Sequence, residues 1–77
     1  MNKQRRKWLS AVYDKITECQ TELENIRDEE QEAFDNMPES LQYSERGNEM
    51  EEVISELDDE VCNLEDIAES LLEIIER

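Results

Sequence analysis

The chain has one proline and one glycine, Pro38 and Gly47, and both stand in its middle third. Proline breaks a helix interior and glycine weakens one, so the flanking stretches are each free to form a long helix. Over the first, Leu9, Val12, Ile16, Cys19, Leu23 and Ile26 alternate at spacings of three and four, and the pattern runs on through Glu30 to Ala33. Over the second, Met50, Val53, Leu57, Leu64, Ile67, Leu71 and Ile74 keep the same rhythm, with Val61 standing in where Glu60 takes the expected inward place. A seven-residue apolar repeat of this kind is the seam of a coiled coil. The expected fold is all-α: an antiparallel two-helix hairpin over residues 1–77, with arm one at 3–35, a connection at 36–45 and arm two at 46–76.

Residue numbers alone test whether the arms fold back. Leu9 with Leu71, Val12 with Ala68, Ile16 with Leu64, Cys19 with Val61, Leu23 with Leu57 and Ile26 with Ile54 all sum to 80, as facing positions about one central turn must. Each arm of roughly 30 residues would run about 45 Å. This register sets Lys3, Arg5, Arg6 and Lys7 beside Glu69, Glu73 and Glu76, which would offset the poor fit of bases to a helix N-terminus. In the connection, Pro38 suits the first turn of a short helix ending near Gln42. Either Ser44 or Asn48 caps arm two; Asn48 with Glu51 makes the fuller capping box and would leave Gly47 just outside the helix.

The apolar residues of arm two cover more than a two-helix seam uses, adding Ile54, Val61, Ala68, Leu72 and Ile75. So wide a stripe stays partly wet in one hairpin. Two hairpins dimerising through arm two into a four-helix bundle would cover it, and so would the groove of a partner. The core and dimer contacts are expected from Leu9, Ile16, Leu23, Ile26, Leu57, Val61, Leu64, Leu71 and Ile75.

Composition bounds the function. There are 23 Asp and Glu against eight Lys and Arg and no histidine, for a net charge of -15. Four of the bases lie in the first seven positions, so residues 8–77 set four bases against all 23 acids. Direct nucleic-acid binding, which needs Lys and Arg on phosphates, is not expected. High charge with few aromatics is also the composition of disorder, but a disordered tail has no reason to keep apolar residues in phase. No stretch approaches the ~18–20 apolar residues of a membrane span, and the basic start leads to Asp14 and Lys15 rather than to the apolar run of a signal peptide. A cytoplasmic protein is therefore expected, with Cys19 and Cys62 as reduced, buried thiols. Two cysteines without histidine are too few for zinc.

Catalytic groupings are scarce. With no histidine, no glycine-rich phosphate loop and no base beside Ser or Cys, neither an enzyme nor a cofactor is expected. The one chemical candidate is the acid cluster Glu29, Glu30, Glu32 and Asp35 facing Glu49, Glu51, Glu52 and Glu56, since carboxylates on facing helices can hold magnesium. The Glu32-Ala33-Phe34-Asp35 spacing is similar to that of the all-helical magnesium-dependent nucleotide pyrophosphatases. The facing arm lacks the matching pattern, Glu56 coming one residue too late, so the expectation is a solvated acid face and no metal site. Glu30 falls on the seam opposite Met50, either exposed by splaying of the arms or bonded to loop amides. Phe34, Met37, Leu41 and Tyr43 form the one large apolar cluster off the seam, either plugging the open end of the hairpin or forming a tip that docks on a partner. Trp8 and Tyr13 at the other end read in the same two ways.

The stretch Arg27-Asp28-Glu29-Glu30-Gln31-Glu32-Ala33-Phe34-Asp35-Asn36-Met37-Pro38-Glu39-Ser40-Leu41-Gln42, with Ser44-Glu45-Arg46-Gly47 after it, resembles a family of small uncharacterised acidic proteins found in phages and prophages of Gram-positive bacteria. The basic start and acidic second arm are similar too. The resemblance implies a phage accessory protein acting in the host cytoplasm and brings no catalytic residues with it. By analogy of charge and size with anti-restriction and anti-CRISPR proteins, the expected role is an anti-defence, DNA-mimic-like inhibitor. Its acidic face, Glu52, Glu56, Asp58, Asp59 and Glu65, would meet a basic, nucleic-acid-binding host protein. The alternative is a structural or assembly dimer whose acids are only solvated.

The seam generates a first test. Leu64→Asp buries an unpartnered charge at a cost of several kcal/mol, comparable with the whole stability of a small domain. The cooperative helical melt seen by circular dichroism should be lost.

Overall fold

A computed structural model describes residues 1–77 and is all-helical. Helix α1 (Lys3–Asp35) runs out, α2 (Glu39–Gln42) makes the turn, and α3 (Glu45–Ile75) returns along α1. The rod measures 58 × 14 × 13 Å between its outermost Cα atoms.

Side chains meet the ends of the two long helices. At the start of α1, Asn2 caps the helix, its Oδ1 accepting the Arg5 N–H at 2.8 Å. At the other end the last carbonyls of α1 have no helical partner. Gln42 supplies one, donating from Nε2 to the carbonyl of Phe34 at 3.0 Å and to that of Met37 at 3.2 Å. Pro38 stands just before the first residue of α2, as its missing N–H and fixed φ favour. Ser44, rather than Asn48, caps α3, its Oγ accepting the Gly47 N–H at 3.3 Å.

Gly47 therefore lies inside the first turn of α3, not outside it, and is buried. A Cβ at this position would stand 2.1 Å from the Gln42 carbonyl oxygen and 2.6 Å from that of Leu41. The glycine is needed for the close approach of α2 to the side of α3, a constraint that no pattern of apolar residues records.

With α3 in this phase, its inward positions are Gly47, Met50, Ile54, Leu57, Val61, Leu64, Ala68, Leu71 and Ile75, again at alternating threes and fours. Val53, Ile67 and Leu72 are exposed instead. On α1 the matching half-buried positions are Arg6, Leu9, Tyr13, Ile16, Gln20, Leu23, Arg27, Glu30 and Phe34. Val12 is half-buried at the margin of the seam, while Cys19, Ile26 and Ala33, expected on it, are exposed. Leu9, Ile16 and Leu23, and the residues expected to face them, Leu71, Leu64 and Leu57, are all inward. The hydrogen bond from Arg6 to the Ile75 carbonyl joins positions that sum to 81, and the same register brings Tyr13 level with Ala68, Gln20 with Val61, Arg27 with Ile54 and Phe34 with Gly47. Three of these four layers pair a long side chain of α1 with a smaller residue of α3, and Arg27 with Ile54 is the exception. Gly47, Val61 and Ala68, under this cover, are the only three buried residues.

The basic start does not pair with Glu69, Glu73 or Glu76; the ion pairs of the chain both involve Arg27. Arg6 instead donates to the carbonyl of Ile75 in the last turn of α3. A cation at a helix C-terminus meets both an unpartnered carbonyl and the negative end of the macrodipole, which a carboxylate farther along would not supply.

At an ordinary helical site Gly→Ala gains up to ~1 kcal/mol. Gly47→Ala should instead lower stability by about 1–3 kcal/mol, the range of an overpacked core, read as a drop in melting temperature.

Candidate functional site

The phase of α3 sorts its side chains into three columns. Inward lies the seam. Outward, at intervals of seven residues, stand Glu45, Glu52, Asp59, Asp66 and Glu73, all exposed. At 1.5 Å per residue these carboxylates are ~10.5 Å apart and the column is ~42 Å long. A second column beside it holds Glu51, Asp58 and Glu65, also exposed. The acids Glu52 and Asp59 singled out in the sequence belong to the outward column, and Asp58 and Glu65 to the one beside it. Glu56 stands on the opposite flank of α3. Glu45, Asp66 and Glu73 were not singled out, although their seven-residue interval is legible once the seam is phased.

One base reaches these acids. Arg27 donates from Nη1 to Oδ1 of Asp58 across the arms at 2.7 Å and from Nη2 to Oδ1 of Asp28 at 3.1 Å. Hydrogen bonding to Asp58 first, and to Asp28 second, holds the guanidinium above the usual arginine pKa, so it stays charged throughout. Asp58 is thereby partly neutralised and is the least available of the candidate acids. The outward column has no ion pair.

The other broad face is apolar. Val12, Cys19, Ile26 and Ala33 of α1 lie along it beside Val53, Ile67 and Ile74 of α3, interrupted by Glu60. Ile26 is 53 % exposed and Ile67 47 %. Ala33 and Val53 line one depression of about 340 Å³ with Glu30, Arg46, Glu49 and Met50, which places the two columns on the same side. Trp8 closes the far end, 72 % exposed, in a depression shared with Met1, Arg5, Leu9 and Val12. Both cysteines are free and exposed, against the expectation of buried thiols, because the inward positions belong to their neighbours Gln20 and Val61.

The aromatic and loop clusters divide. Tyr13 joins the seam while Trp8 does not. Phe34 and Met37 are half-buried, whereas Leu41 and Tyr43 are exposed, Tyr43 at 78 %. Glu30 is half-buried opposite Met50, at the mouth of the 340 Å³ depression, and makes no hydrogen bond to loop amides. The acids near the turn do not converge: no three metal-ligating side chains gather anywhere in the chain. No helix is long and apolar enough to cross a membrane. Compared with known protein families, curated proteins and solved structures, the chain matches none.

The Arg27 bridge links acid face to seam and should respond to salt. In a double-mutant cycle of Arg27→Gln and Asp58→Asn, the coupling in thermal stability should be stabilising at low ionic strength. It should fade toward zero at 1 M salt, where the screening length is about 3 Å.

Proposed function

We propose that the chain is a non-enzymatic, acidic protein-binding module whose outward α3 column occupies a basic, nucleic-acid-binding surface of another protein. The observation that carries this reading is the unpaired column Glu45, Glu52, Asp59, Asp66 and Glu73. A regular line of carboxylates ~42 Å long, on a rigid helix, exceeds one turn of B-form DNA at ~34 Å. A groove lined with Lys and Arg meets in it the charge sign and linear extent of a duplex edge. The field of so many acids also speeds encounter with such a groove. The resemblance to phage and prophage proteins supports an anti-defence role in a host cytoplasm, with a nuclease or other DNA-handling protein as target.

The test is competition. The immobilised chain, exposed to bacterial lysate at low salt, should retain nucleic-acid-binding proteins that added duplex DNA releases. The triple variant Glu52→Lys, Asp59→Lys, Asp66→Lys should keep its helicity and lose at least about tenfold in capture, as reversal of complementary charge requires. Capture indifferent to duplex DNA and to these reversals, but lost with Phe34→Ala and Tyr43→Ala, would move the function to the loop tip.

A further inference from the structure

We infer that the apolar broad face is an interface between two copies of this chain, stacked antiparallel about a two-fold axis that crosses the middle of both rods beside Cys19. This goes beyond the reading of the acidic column and does not rest on it, since the two features lie on different sides of α3.

The hairpin alone is under-buried. Three buried residues leave nearly all of the seam half-wet, and an exposed line of Val, Ile and Cys continues it along one side. One side of a rod 58 Å long and 14 Å across is large enough to bury the ~800 Å² that each partner of a stable interface does. Its two depressions, beside Ala33 and Val53 and beside Trp8 and Val12, lie open to solvent and enclose no small ligand. The face suits a flat apolar partner of the same length, and a second copy is such a partner.

Charge decides how that copy is oriented. On the half of the face nearer the start of α1, the apolar column and its outer margin carry Arg5 and Lys15 and no acid. On the half nearer the turn they carry Glu22, Glu29, Glu49 and Glu56 against Arg46 alone. Copies stacked with the same ends together would set bases on bases and acids on acids. Reversed copies set each basic half on an acidic one, with Lys15 over Glu22 of the second copy. The apolar residues agree with reversal, because they are symmetric about the helix midpoints. Cys19 is the middle residue of α1 and Glu60 that of α3. Turning one copy about that centre places Val12 over Ile26 and Ile67 over Val53. Glu60 meets its own counterpart, which is the one unfavourable contact of the arrangement.

Cross-linking at the cysteines reads this geometry directly. In the reversed stack Cys19 lies beside Cys19 of the second copy, whereas Cys62, one position outside the seam, points away. Sedimentation should find a dimer of the 9.2 kDa chain. A short bis-maleimide should link the dimer of Cys62→Ser and fail to link that of Cys19→Ser. Ile26→Glu with Ile67→Glu should weaken association at least tenfold with helicity kept, since both residues are exposed in the single hairpin. Lys15→Glu should weaken it, the added Glu22→Lys should restore it, and Glu60→Gln should tighten it. A strict monomer at 100 µM overturns the interface. A dimer that cross-links equally through Cys62, or ignores the Lys15 and Glu22 exchange, overturns the orientation.

Discussion

The contact on which the rest of the molecule depends is the close approach of the α2 carbonyls to Gly47. A helix can present any of its sides to a neighbour, and which side α3 presents is fixed where the chain re-enters it. With Ser44 capping the first turn and no Cβ between Gly47 and the Gln42 carbonyl, α3 is held in one rotation about its axis. From that rotation follow the seam, the outward acids and the apolar side face. Turned by one residue, about 100°, toward Glu51, Asp58 and Glu65, the helix would carry those acids into the groove and Ile54 and Ile75 into water.

The arms, the turn and the antiparallel register were legible in the sequence because they depend only on spacing and on where Pro38 and Gly47 stand. Leu9, Ile16, Leu23, Leu57, Leu64 and Leu71 were placed on the seam correctly. The layers between them were not, for a definite reason. Reading by apolarity chose Val12, Cys19, Ile26 and Ala33, whereas the structure turns inward their neighbours Tyr13, Gln20, Arg27 and Phe34. Long side chains with polar ends can lie across a small partner and keep their tips in solvent. Ala68 and Val61 leave the room for this, and a scale of residue hydrophobicity does not see room.

The candidate site was legible in part. The acid excess and its concentration on the second arm are plain from composition, but its division into columns required the helix phase. Once phased, the acids of α3 include a regular line along one edge and none at its inward positions, and Arg27 is the one base that crosses to α3 acids. The apolar residues that the sequence assigned to a seam became a second surface on the far side. Both faces therefore come from one slip of a single residue in helical phase. Positive and negative halves of the apolar face were hidden in the sequence, because their members come from both arms and meet only after the chain folds back.

The hairpin also prescribes an order of assembly. Contacts between the arms join residues ever farther apart in sequence with distance from the turn. Phe34 and Gly47 close a loop of a dozen residues, whereas Arg6 and the Ile75 carbonyl close almost the whole chain. Loop-closure entropy rises with that separation, so each layer is cheapest to form once the layer before it exists. Loop closure thus favours a zipper that starts at the turn and opens from the ends. A chain built in this way has its most persistent structure around Gly47 and its most frequent openings around Trp8 and Ile74.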